Sequence, residues 1–77
     1  MEIRDKIIEI IAKEADIEQG AISESATLDE LGVDSPRLLE IVLAIEEELG
    51  LKIRDGVFTH AHTVGAVIAY VQSRVGK

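Results

Sequence analysis

Apolar residues recur at helical spacing in three stretches of this chain, separated by segments without that period. Over residues 2–15, Ile3, Ile7, Ile10 and Ile11 form one stripe, and Arg4, Asp5, Lys6, Glu9 and Lys13 mark the wet side. Over residues 36–49, Leu38, Val42, Ile45 and Leu49 share a face, with Arg37, Glu40, Ala44 and Glu47 opposite. From Val64 to about Arg74 the stripe is Val64, Val67, Ile68, Val71 and Val75. Thr63 suits the N-cap of this last helix, and Arg74 with Lys77 suits its C-terminal end.

The connections carry their own signals. Residues 16–27 hold Gly20, Ser23, Ser25 and Thr27 and read as a long loop, with Ile17 and Ile22 as its anchors to the core. Thr27 followed by Glu30 fits a capping box, which predicts a single helical turn over 28–31 ending at Gly32. Ser35 reads as the N-cap of the second long helix, with Pro36 at its first position and Gly50 just past its end. Between residues 51 and 62, Ile53, Val57 and Phe58 are the expected buried points, and Asp55 is placed to start a short helix around 55–60. The pattern predicts an all-α fold, a small four-helix bundle of three longer helices and one short, in a single domain over 1–77.

Composition narrows the chemistry. The 77 residues suit one small domain, and the core must come from Ile, Val, Leu and Ala, since Phe58 and Tyr70 are the only aromatics. Without cysteine there is no disulfide, thiolate nucleophile or cysteine metal site. The apolar run from Val64 to Val71 is too short to span a bilayer, and the N-terminus lacks the shape of a signal peptide. These features predict a soluble cytoplasmic protein. The apolar stripes are needed inside, so a monomer is expected. The net charge of −7 argues against nucleic acid and favours basic partners. It is uneven: residues 1–50 hold fourteen acids and four bases, residues 51–77 one acid and four bases. Glu46, Glu47 and Glu48 crowd a helix C-terminus, where the dipole disfavours anions.

Ser35 is the candidate for chemistry. A serine hydroxyl is a poor nucleophile without a base, and neither His60 nor His62 is placed beside it by the sequence. There is no Gly-x-Ser-x-Gly elbow. An acceptor role fits better, because a phosphodiester at a helix N-terminus meets amide N–H groups and the positive dipole end, although Pro36 removes one donor. A plain capping role for Ser35 fits the same pattern. His60-Ala61-His62 lacks a third ligand nearby, so no metal site is expected.

The run Thr27-Leu28-Asp29-Glu30-Leu31-Gly32-Val33-Asp34-Ser35, followed by Glu40 to Leu49 with three glutamates beginning eleven residues after the serine, resembles the acyl carrier protein family. Thr63 to Val71 is similar to that family's last helix. The resemblance implies a carrier, not an enzyme. It implies covalent phosphopantetheine on Ser35, with Asp34 beside the attachment point helping a phosphopantetheinyl transferase and its magnesium to engage. It further implies that acyl groups ride as thioesters between biosynthetic enzymes of fatty acid, specialised lipid or polyketide synthesis. Glu40, Leu43, Ala44, Glu46 and Glu47 would meet basic patches on the acyl-loading and acyl-transferring partners. Pro36 and Arg37 also lie on this docking surface, but the family usually has Leu and an acid there. That departure suggests a specialised carrier whose partners pair an acid with Arg37. The same residues would serve an aminoacyl or peptidyl carrier, and an unmodified carrier-fold interaction module is the alternative from another class.

Overall fold

The computed structural model describes residues 2–54, 56–59 and 61–75. Three α-helices form: α1 over Ile3–Ala15, α2 over Ser35–Leu49 and α3 over Val64–Val75. A 3₁₀ turn at Gln19–Ala21 interrupts the first connection. The described residues contain no strand, only one isolated antiparallel bridge between Thr27 and Thr63. The all-α expectation is met in a body of 30 × 25 × 19 Å.

Helix α1 packs against both α2 and α3. Its core face is broader than the predicted stripe, since Ile8 is buried beside Ile7, Ile10 and Ile11, and Ile3 is only half-buried. On α2 the fully enclosed residues are Ile41 and Ile45, while Leu38, Val42 and Leu49 flank them at the edge of the core. The axis of that face is thus rotated from the one the spacing suggested, and Ala44, assigned to the wet side, is half-buried against the core. Val64, Val67, Ile68 and Val71 of α3 are buried as expected.

The long connection is held by backbone pairing. The capping box forms, with Thr27 N–H donating to Glu30 Oε1 at 2.8 Å and Glu30 N–H to Thr27 Oγ1 at 3.1 Å. The turn then closes with Gly32 N–H on Asp29 O at 3.0 Å and Val33 N–H on Leu28 O at 3.0 Å. This is the Schellman pattern, and it needs the positive φ of 80° at Gly32. Leu28 N–H reaches His62 O and Val64 N–H reaches Ala26 O, each at 3.0 Å, so the loop is laced to the start of α3. Thr63 caps that helix through Oγ1, which accepts from Ala66 N–H at 3.0 Å. Ile22 packs on the core from the loop as expected, and Ile17 is half-buried.

The short helix expected around 55–60 is not seen. Asp55, its proposed start, and His60 lie outside the described residues; Gly56 is in a turn, Val57 in a bend, and Phe58 and Thr59 are irregular. Gly56 has φ 84°, on the wrong side for a right-handed helix, and Thr59 N–H donates to His62 Nδ1 at 2.9 Å instead of to a helical carbonyl. Ile53 and Phe58 are nevertheless buried, with Val57 half-buried against the core.

Two changes test the turn that precedes α2. Gly32→Ala is expected to lower unfolding free energy by about 1–2 kcal/mol through left-handed strain. Thr27→Ala should lower it by about 1 kcal/mol through loss of the cap. Both shift the urea midpoint with an unchanged slope.

Candidate functional site

The N-terminus of α2 differs from the expected geometry in one respect. Asp34, not Ser35, is the N-cap. Its backbone is extended at φ −93°, ψ −178°, and its Oδ1 accepts from Arg37 N–H at 3.0 Å. Ser35 is the first helical residue and Pro36 the second. Aspartate is as good a cap as serine, and its acceptor carries a full charge facing the positive end of the helix dipole. The consequence is chemical: the Ser35 hydroxyl is released from capping.

Asp34, Ser35, Pro36 and Arg37 are all exposed. Ser35 stands at the meeting of two surface depressions. The first, of about 370 Å³, is lined by Asp29, Gly32, Val33, Asp34 and Ser35. The second, of about 150 Å³, is mostly apolar and is lined by Ser35, Leu38, Leu39, Val42, Gly56 and Phe58. Val33, enclosed beneath the loop at 2% exposure, anchors the backbone just before the site. Of the first-turn amides, that of Arg37 is taken by Asp34 and Pro36 has none. A phosphate ester on Ser35 would therefore meet the dipole and fewer donors than an open helix end offers, an arrangement that suits a mobile arm better than a clamped phosphate.

The other expected docking residues divide into two groups. Glu40, Leu43 and Glu47 are exposed, and Leu39, which the pattern analysis passed over, is 55% exposed beside Leu43 at 46%. Leu39 had a signal, since it precedes Leu43 by four residues on a helix. Glu46 is half-buried, and its Oε2 accepts from Ile53 N–H at 2.7 Å, pinning the segment after α2. Arg37 folds back so that Nη1 donates to Glu14 O at 2.5 Å. That carbonyl lies in the last turn of α1, where helices leave acceptors unpaired and favour cations. Glu48 pairs with Lys6 of α1 at 2.9 Å, and this hydrogen bond raises the Lys6 pKa above its ordinary value.

A family model described as "Phosphopantetheine attachment site" matches residues 5–71. The acyl carrier protein of Thermotoga maritima is 33% identical over 76 residues, 97% of this chain and 94% of that protein. The chain belongs to the acyl carrier protein family. An acyl carrier protein of Clostridium perfringens is 38% identical over 74 residues, 95% of this chain and 97% of its own. That of Phenylobacterium zucineum is 32% identical over 76 residues, covering 97% and 96%. Acyl carrier proteins are carriers rather than enzymes, and they bear phosphopantetheine covalently. No helix among the described residues is long and apolar enough to cross a membrane, and these residues hold no cluster of three or more metal-binding side chains.

The cap assignment predicts an asymmetry between neighbours. Asp34→Ala should destabilise the apo protein by about 1 kcal/mol, whereas Ser35→Ala should stay within about 0.5 kcal/mol of the parent, both read from urea unfolding.

Proposed function

We propose that Ser35 is the attachment residue and that the protein shuttles acyl thioesters between biosynthetic enzymes. The observation that carries this is the exposed Ser35 hydroxyl on the first turn of α2, with its capping duty taken over by Asp34. In the modification, the Ser35 Oγ–H bond breaks, its proton passing to a base of the transferase, and an Oγ–P bond forms as the donor's phosphoanhydride P–O bond breaks and its other phosphate leaves. The bound group supplies the terminal thiol that a cysteine-free chain lacks. In this reading Asp34, which lines the wider depression, engages the transferase and its magnesium.

The partner-facing surface in this reading is Glu40, Leu43 and Glu47, with Pro36 and Leu39 extending it toward Ser35. Exposed acids speed the encounter with a basic partner, and the two leucines supply the apolar contact that fixes register. Ala44 is half-buried against the core and Glu46 holds the Ile53 amide, so these two contribute less to that surface. Arg37 is tied to α1, so the charge it adds to the face is turned toward Glu14. The specialised service suggested by Pro36 and Arg37 thus rests on Pro36 replacing an expected leucine and on a positive charge held against the bundle.

Co-expression with a broad-specificity phosphopantetheinyl transferase tests the attachment. Intact mass should rise by one phosphopantetheinyl group in the parent and not in Ser35→Ala. A parent mass that stays unchanged with several transferases would favour an unmodified interaction module. On the docking face, Glu40→Lys with Glu47→Lys should slow transfer to a basic partner about tenfold or more at low salt, with a smaller effect at high salt.

A further inference from the structure

We infer that Lys52 and Arg54 are specificity-determining residues of this carrier, a cationic strip that fits it to a partner enzyme whose docking patch sets an acid beside its bases. The inference rests on the docking reading above, in which Glu40 and Glu47 meet the partner's bases. The uneven charge of the chain reaches the surface at this point. Helix α2 ends in three glutamates and Leu49, and the two bases follow within five residues of that end.

The strip is held against α2. Gly50 closes the helix at φ 66°, and the N–H groups of Gly50 and Leu51 both donate to Glu46 O, at 2.9 and 3.3 Å. Ile53 N–H then donates to Glu46 Oε2 at 2.7 Å, and the Ile53 side chain is buried. Lys52 and Arg54, on either side of Ile53, are exposed. Neither forms an ion pair among the described residues. Lys52 lines the same surface depression, of about 290 Å³, as Glu46, Glu47, Gly50 and Leu51. Glu46 is committed to the Ile53 amide, so the free charges of this depression are one acid, Glu47, and one base, Lys52.

Two charges that line one depression act on the same incoming group, because screening needs about 8 Å to damp their fields at physiological salt. A partner base seated on Glu47 is opposed by Lys52. A partner patch that continues as bases toward Arg54 is opposed twice. A patch that places an acid next to the base for Glu47 gains an ion pair instead, and like charges in the wrong partner act as exclusion. Lys52 also follows the C-terminal end of α2, where a cation offsets the helix dipole. That role acts on stability and leaves partner choice untouched, so kinetics separate the two.

Loading kinetics test this, with a phosphopantetheinyl transferase whose docking patch is uniformly basic as the probe. Thermal unfolding checks that each variant folds, and intact mass confirms the product. Lys52→Glu and Arg54→Glu should each raise kcat/KM about threefold to tenfold at low salt, through KM with kcat unchanged, and the gain should fade at high salt. Lys52→Gln, which removes the charge and adds none, should move in the same direction by less. Bases of the transferase patch are then replaced by Glu one at a time. At least one replacement should reverse the order, so that the parent is loaded faster than Lys52→Glu. A change in net charge alone would rank the two carriers the same way for every replacement. Loading rates unchanged or lowered by the Lys52 and Arg54 substitutions, or an order that no patch replacement reverses, would overturn the inference. Absence of any mass gain in the parent and in all variants would instead overturn the attachment reading, and the mass measurement distinguishes the two.

Discussion

The hydrogen bond from Arg37 N–H to the Asp34 carboxylate is the contact on which the functional end of this protein depends. It decides where α2 begins. With Asp34 outside the helix and extended, Ser35 enters the first turn and projects into solvent at the positive end of the dipole. One acidic side chain thereby stabilises the helix and leaves the neighbouring hydroxyl chemically available. A serine cap would have tied structure and reactivity to the same oxygen, so that esterifying it would remove a structural contact.

The rest of the fold holds that end in place. The capping box at Thr27 and Glu30 and the Gly32 turn deliver the chain to Asp34, and enclosed Val33 fixes its depth. The Thr27–Thr63 bridge fastens the same turn to the start of α3, and the Arg37 guanidinium fastens the first turn of α2 to the end of α1. The segment leading into α2 is thus a loop by conformation, yet α1, α3 and the 27–32 turn restrain it. Such restraint gives the exposed residues at the start of α2 a reproducible geometry.

Much of this was legible in the residues. Period 3.6 located all three long helices, Gly50 and Thr63 marked two of their ends, and Thr27 with Glu30 and Gly32 marked the turn before α2, because capping chemistry is local. Ser35 stood out for the same reason. What local rules did not settle was the competition between two adjacent cap candidates: Asp34 and Ser35 are equally good by propensity, and the proline after Ser35 pointed to the wrong one. The burial of Ile8 and Ile41 depends on how α1 meets its two neighbours, a tertiary fact that a single-helix wheel does not contain. The segment around Gly56 was misread because Asp55 resembled a helix start while the glycine's left-handed backbone and the His62 side chain drew the local amides elsewhere. Long-range partners such as Ile53 N–H for Glu46 and Glu14 O for Arg37 leave no trace in the local sequence pattern.

The triple glutamate at the end of α2 looks in one dimension like a block of uniform negative charge. In three dimensions it is a divided one: Glu46 is turned to a backbone amide and Glu48 to Lys6. Glu40 and Glu47 remain without an ion-pair partner among the described residues. Seven positions apart, they stand two turns along one helix, about 10.5 Å of axial rise. In the docking reading proposed above, a partner enzyme reads this helix as a two-pronged plug, and the spacing between the cations of its socket, more than their number, decides whether the carrier fits.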